Sequence, residues 1–158
     1  MKAFTIWQPW ASLVIVGAKP WEFRGRSFLR YPNAPRPGER IGIHAGMRPI
    51  RPKEVEDLLA RLGRKHDHTG LKLVPARQVL ERVRAAYKCQ ALPLGAVLGT
   101  AVIGTPVLSC DLFNIPVADS DRGRFNYAWP LTDVERFDVP ITMRGAQGSF
   151  HFAEKLAA

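Results

Sequence analysis

The run Gly95-Ala96-Val97-Leu98-Gly99-Thr100-Ala101-Val102-Ile103-Gly104 constrains the fold more than any other part of this chain. Its β-formers predict a strand, yet glycine recurs every four or five residues. A glycine inside a strand weakens it and leaves nothing to pack, so regular glycines there mark bends or bulges. Small barrels turn their corners with such devices. A curled sheet is expected, and the remaining segments must supply its partners.

Those partners are legible on both sides. Residues 3–7 alternate well enough for a short strand, 19–27 read as a second, and 40–45 as a buried third bounded by Gly46. Further strands are expected over 127–131, 137–141 and 149–152, the last after the turn Gly145-Ala146-Gln147-Gly148. Between the first two strands, Pro9 suits the first turn of a helix, where its missing N–H costs nothing, and Gly17 ends that helix. The proline-rich stretch over 31–38 is a loop. The middle is helical. Pro52 opens one helix, with Val55, Leu58, Leu59 and Leu62 at i, i+3, i+4 and i+7; a second over 75–87 places Val79, Leu80, Val83 and Tyr87 on one side. Residues 51–92 therefore read as a helical insertion or lid beside a β core. The 158 residues are expected to form one α+β domain, a small mixed β-barrel with flanking helices.

Apolar and aromatic residues make up 46% of the chain, which excludes a disordered class. The net charge of +9 points towards a polyanionic partner. It is unevenly placed: residues 1–110 carry a net +11 and residues 111–158 a net −2. Lys53, Arg61, Arg64, Lys65, Arg77, Arg82 and Arg84 supply a broad basic supplement, either a solvated face or a track for a nucleic-acid backbone. Cys89 and Cys110 form no CxxC pair or disulfide framework, which favours a reducing compartment. With no signal-peptide layout and no apolar run long enough to span a bilayer, a cytoplasmic protein without a membrane partner is expected. His66-Asp67-His68 has too few ligands at the wrong spacing for a metal, and no P-loop, Rossmann fingerprint or Ser-His-Asp order suggests a cofactor.

The candidate site lies near the start. Trp7-Gln8-Pro9-Trp10-Ala11-Ser12 runs into Gly17-Ala18-Lys19-Pro20-Trp21-Glu22-Phe23-Arg24. If 19–24 is extended, Glu22 and Arg24 share one face and Lys19 reaches the same region. Lys19 is then a phosphate contact, a charge partner for Glu22, or a base of lowered pKa. Glu22 and Arg24 are either a structural ion pair or, with Arg26, a base-edge acceptor beside two phosphate-holding guanidiniums. Trp7 is assigned to the core. Trp10 and Trp21 are either core residues or stacking faces for unpaired bases. Ser12 is a phosphate contact in a helix's first turn or a plain helix residue. His44, in its buried strand, is a satisfied core residue or a proton shuttle facing a cleft.

Taken together, several segments resemble the ASCH (activating signal cointegrator homology) family of the PUA-like superfamily. They are Ile6-Trp7-Gln8-Pro9-Trp10-Ala11-Ser12-Leu13, Gly17-Ala18-Lys19 with Glu22 and Arg24, Gly38-Glu39-Arg40-Ile41-Gly42-Ile43-His44-Ala45, and the strand from Gly95 to Gly104. Tyr127-Ala128-Trp129 with Phe137 and Pro140-Ile141, and then Gly145-Ala146-Gln147-Gly148-Ser149-Phe150, complete the set in the family's order. The resemblance implies a PUA-like barrel whose cleft faces nucleic acid, a nucleotide or a modified nucleobase, with Gln147 and Gly148 lining it. Family members are mostly inferred RNA binders. Some resemble amidohydrolases of acylated cytidine, and ribonuclease activity is proposed for others. The amidohydrolase pattern Gly-x-Lys-x-x-Thr-x-Arg falls here on Gly17, Lys19, Glu22 and Arg24, so Glu22 stands where that branch has its threonine nucleophile. A carboxylate attacking an amide would form a mixed anhydride, so an enzyme of this sequence would need water as the attacking group, with Lys19 and Glu22 as the acid–base pair. The leading expectation is a module binding nucleic acid, RNA rather than DNA, in which a basic, aromatic-flanked cleft formed by Gln8–Ser12, Lys19–Arg26 and Gln147 holds a single-stranded or flipped base. The alternative is a hydrolase of RNA or modified nucleosides, and a protein-interaction module is the third.

Overall fold

The computed structural model describes residues 1–25, 34–65, 67–86, 92–116, 127–146 and 148–152. In chain order the elements are β1 (Lys2–Ile6), α1 (Trp10–Ile15), β2 (Trp21–Arg24), β3 (Arg40–Ala45), α2 (Pro52–Arg61) and α3 (Leu73–Ala85). After them come β4 (Ala96–Ile103), β5 (Val107–Leu108), α4 (Ser109–Phe113), β6 (Tyr127–Thr142) and β7 (Ser149–His151). The seven strands form one curled sheet, a half-barrel in the order β2-β6-β4-β3-β1-β7, with β5 also paired to β6. Among the described residues only β1 and β3 run parallel, pairing Lys2 with Ile41 through Ile6 with Ala45. Their C-terminal ends therefore open on the same edge, which positions the cavity described below.

The glycine-marked strand does bend. The β4–β6 ladder shifts register between Val97 and Gly99 and again between Thr100 and Val102. At Gly99 an added Cβ would collide with the Glu135 carbonyl oxygen and lie 3.0 Å from the Arg136 Cα and the Ile15 Cδ1. Backbone on one side and α1 on the other leave no room to yield. Gly99→Ala is expected to lower stability by about 1–3 kcal/mol, the usual cost of overpacking. Chemical denaturation should show a reduced midpoint, and an unchanged midpoint would mean that the bulge tolerates a side chain.

The two strands expected over 127–131 and 137–141 are a single strand of 16 residues. Its first part pairs with β2 and β5, and the part from Leu131 onward pairs with β4. The polar step Thr132-Asp133 falls between the two expected strands, and it is the corner itself. Asp133 takes φ +46, a conformation aspartate tolerates better than most residues, and the chain bends without leaving the sheet. Arg40 locks this corner. It donates to the Asp133 carbonyl at 3.0 Å and to Thr100 Oγ1 at 2.9 Å, and pairs with the Asp133 and Glu135 carboxylates. The short β5 and α4 were not expected. Neither is long enough to show a period.

Two apolar cores meet at α1. One joins the sheet to α1 through Phe4, Ile6, Ala11, Val14, Ile41, Ile43, Leu98 and Trp129. The other joins α1 to α2 and α3 through Leu13, Val55, Leu58, Ala76, Leu80 and Val83. Of the helical spacing read from sequence, Val55, Leu58, Leu62, Val79, Leu80 and Val83 are buried and Leu59 is half-buried, while Tyr87 lies outside the described residues. Pro52 begins α2, with Glu54 in its first turn and Arg61 in its last, each opposite in sign to the partial charge of the helix end it occupies. No helix among the described residues is long and apolar enough to cross a membrane.

Candidate functional site

The site begins where α1 ends. Gly17 takes φ +70, and the Leu13 carbonyl accepts from the amides of Ala18 at 2.9 Å and Lys19 at 3.0 Å. This turn places Lys19 two residues before β2, in which Glu22 and Arg24 project from one face, as alternation requires. The three charges expected to converge do so. Lys19 Nζ donates to Glu22 Oε2, and Arg24 Nε lies 2.9 Å from Glu22 Oε1. Arg24 also donates to the Thr5 carbonyl at 3.1 Å and lies over the Phe4 ring, 5.2 Å from its centroid. Side-chain exposure is 5% for Lys19, 9% for Glu22 and 20% for Arg24, so this is a buried cluster and not a surface pair.

Burial alone would raise the Glu22 carboxyl. The Lys19 ammonium and then the Arg24 guanidinium outweigh it and hold the carboxyl below its ordinary value of 4.5. Glu22 is thus an ionised, acceptor-only group with one cation on each oxygen.

The cluster forms the floor of a cavity of about 960 Å³. Trp10 and Phe23 line it, together with the exposed Trp7, Met47 and Arg144 and the half-buried Arg48. Trp7 is 56% exposed, which corrects its assignment to the core. It follows the last residue of β1, so nothing in the sheet covers it. Arg48 lies over its ring at 4.1 Å from the centroid and is held there by Glu54 of α2, with Nη2 at 2.8 and 3.1 Å from the two carboxylate oxygens.

His44 also lines the cavity and, together with Thr5, ties down residues 143–146. Its Nε2 lies 3.1 Å from the Met143 carbonyl, which can only accept, so that nitrogen carries the proton. Its Nδ1 lies 3.2 Å from Thr5 Oγ1, and the Thr5 hydroxyl donates to the Ala146 carbonyl at 2.9 Å. Burial lowers the His44 pKa, against the opposing effect of the Met143 carbonyl. Gly145 has no alternative here: an added Cβ would strike the His44 ring and lie 2.7 Å from Thr5 Oγ1. His44 is therefore a hydrogen-bonded buried residue, the first of its two expectations, and it also lines the cavity.

Other expected site residues lie elsewhere. The Gln8 side chain is fully buried and caps α1 from within: its Nε2 donates to Ser12 Oγ and the Pro93 carbonyl, both at 2.9 Å, and its Oε1 accepts from the Ser12 amide at 3.1 Å. Gln8 and Ser12 thus satisfy each other and do not line the cavity, a correction to their reading as ligand contacts. Trp21 also lies outside the lining. It is half-buried beside Gly70, whose Cβ position is 3.4 Å from its ring. Arg26 and Gln147 fall outside the described residues. The basic side chains of α2, α3 and their connection are exposed and away from the lining, and Asp67 in that connection accepts from the Thr69 amide at 3.0 Å. Thr5, Arg48, Glu54 and Arg144 were not anticipated. Arg48 follows β3 as Trp7 follows β1, and only their parallel pairing makes them neighbours.

Compared with known proteins, the chain matches no family model and no curated protein.

Proposed function

We propose that this protein is a nucleic-acid-binding module of ASCH, PUA-like type that holds a single-stranded or flipped base in the cavity. The observation that carries this is an ionised carboxylate, buried between two cations, at the floor of an open cavity with tryptophan on its walls and arginine on its rim. A volume of about 960 Å³ is at the upper end of small-ligand sites and admits a nucleoside with part of its backbone. Base readers combine hydrogen bonds to the base edge with stacking on aromatic faces. Glu22 supplies an edge contact, Trp10 and Trp7 the faces, and Arg48 and Arg144 the contacts to phosphate. The family resemblance favours RNA over DNA.

The depressed Glu22 carboxyl argues against hydrolysis. A general base works best with a pKa near the working pH, and a carboxylate shared by two cations is a poor proton acceptor. Short single-stranded RNA is therefore expected to bind with an affinity that falls steeply as salt rises, and to be recovered unchanged after incubation. Arg144→Ala should weaken binding evenly across sequences and reduce the logarithmic salt slope by about 1. Anisotropy titrations at several salt concentrations, with chromatography of the recovered RNA and of acylated cytidine, test both points. Absent or salt-insensitive binding would overturn the module, and cleavage or deacylation lost in Glu22→Gln would establish the hydrolase instead.

A further inference from the structure

Building on the nucleic-acid reading above, we infer that the base this cavity selects is guanine, recognised by the Glu22 carboxylate through the adjacent N1–H and N2–H donors of its Watson–Crick edge. An ionised carboxylate offers about four lone-pair positions and no donor. Lys19 occupies one on Oε2 and the Arg24 guanidinium sits beside Oε1 as an ion partner, which leaves acceptor capacity on each oxygen of a group that lines the cavity. Two acceptors side by side require two donors side by side. Among the unmodified bases, guanine alone presents that pair. Adenine and cytosine each place an amine donor beside a ring-nitrogen acceptor, and uracil flanks a single N–H with two carbonyls. Each of those edges would turn an acceptor lone pair towards a buried negative charge, where both repulsion and lost hydration are costly.

The surroundings reinforce the choice. The two cations keep Glu22 charged, so it cannot take up a proton and become a donor to a different edge. Lys19 and Arg24 are themselves braced, Lys19 by the Trp21 carbonyl and Arg24 by the Thr5 carbonyl, so the carboxylate is fixed in place before a base arrives. Trp10, which lines the cavity, is suited to a purine because stacking scales with ring area.

The test compares RNA pentamers identical except at one central position, which carries guanosine, inosine, adenosine, cytidine or uridine, titrated against the wild-type protein at fixed salt. Inosine keeps N1–H and lacks only the N2 amine, so it removes one donor without altering ring size. The guanosine pentamer is expected to bind at least about tenfold more tightly than the inosine pentamer, as the loss of one hydrogen bond to a charged acceptor requires, and more tightly still than the other three. Glu22→Gln, whose amide offers one donor and one acceptor, should reduce the guanosine-to-adenosine affinity ratio by at least about tenfold, since a glutamine matches adenine's donor–acceptor edge. The guanosine–inosine comparison needs no variant, so it decides the matter even if Glu22→Gln fails to fold. Equal affinity for guanosine and inosine, or preference for another base, would overturn guanine selection while leaving nucleic-acid binding intact. Failure of every pentamer to bind would overturn both.

Discussion

Glu22→Ala is expected to lower the stability of the protein by roughly 3–5 kcal/mol, the cost of removing one partner from a buried ionic cluster. The alanine would take the carboxylate away from the Lys19 ammonium, which is 5% exposed, and from the Arg24 guanidinium beside it. Removing the charges together should cost less. A Lys19→Met/Glu22→Leu double variant is expected to be clearly more stable than Glu22→Ala, because apolar residues of similar volume can replace a buried pair with little loss. The pH dependence has a definite sign. The folded Glu22 carboxyl titrates below its ordinary value of 4.5, so below that pH the unfolded chain binds the additional proton. The cluster's contribution is present above about pH 4.5 and is lost as pH falls through the folded value. Glu39, lowered by its hydrogen bond from Lys2, has the same sign, so the comparison of interest is between proteins: Glu22→Ala should lose less stability between neutral and acid pH than wild type. Urea denaturation across that range measures it. A variant within about 1 kcal/mol of wild type, the worth of a surface pair, would show that solvent reaches the cluster.

Trp10→Ala is expected to have a comparable effect on stability and a further effect on binding. Trp10 is the first residue of α1 and packs against both the sheet core and the helical core, so its removal opens space where the two meet. Large aromatic-to-alanine changes in cores cost about 3–5 kcal/mol. At roughly 2–4 °C per kcal/mol for a chain of this size, calorimetry should show a clear fall in Tm. Because the same ring lines the cavity, RNA affinity measured well below the variant's Tm should also fall, by the equivalent of about 1–3 kcal/mol for a lost stacking face. Trp10→Phe separates the two roles: it should restore most of the stability and part of the affinity. A Trp10→Ala protein that melts early yet binds normally would make Trp10 a core residue alone.

Local chemistry made much of this fold legible. The helical periods of α2 and α3, the glycine stop after α1, and the bends of the glycine-marked strand depend on neighbours a few residues apart, and the structure has all of them. The convergence of Lys19, Glu22 and Arg24 was legible for the same reason: a tight turn followed by strand alternation places them together without help from the rest of the chain. Where long-range packing decides, local cues mislead. Residues 132–136 fall between two separately expected strands, but the β4–β6 ladder carries the chain through them. Gln8 looks like a ligand contact because a polar residue between tryptophans is conspicuous, and it is silent about the Pro93 carbonyl 85 residues away that helps to satisfy it.

By itself, then, the sequence determined a curled α+β sheet with helices beside it and a charged cluster at the start of β2, since each follows from residue order over short spans. The cavity was decided by tertiary structure alone. Its rim exists because β1 and β3 run parallel and end together, bringing Trp7 against Arg48, and because His44 holds residues 143–146 against the same opening. Strand order and direction are set by which surfaces bury best across the whole chain, and no window of sequence contains that competition.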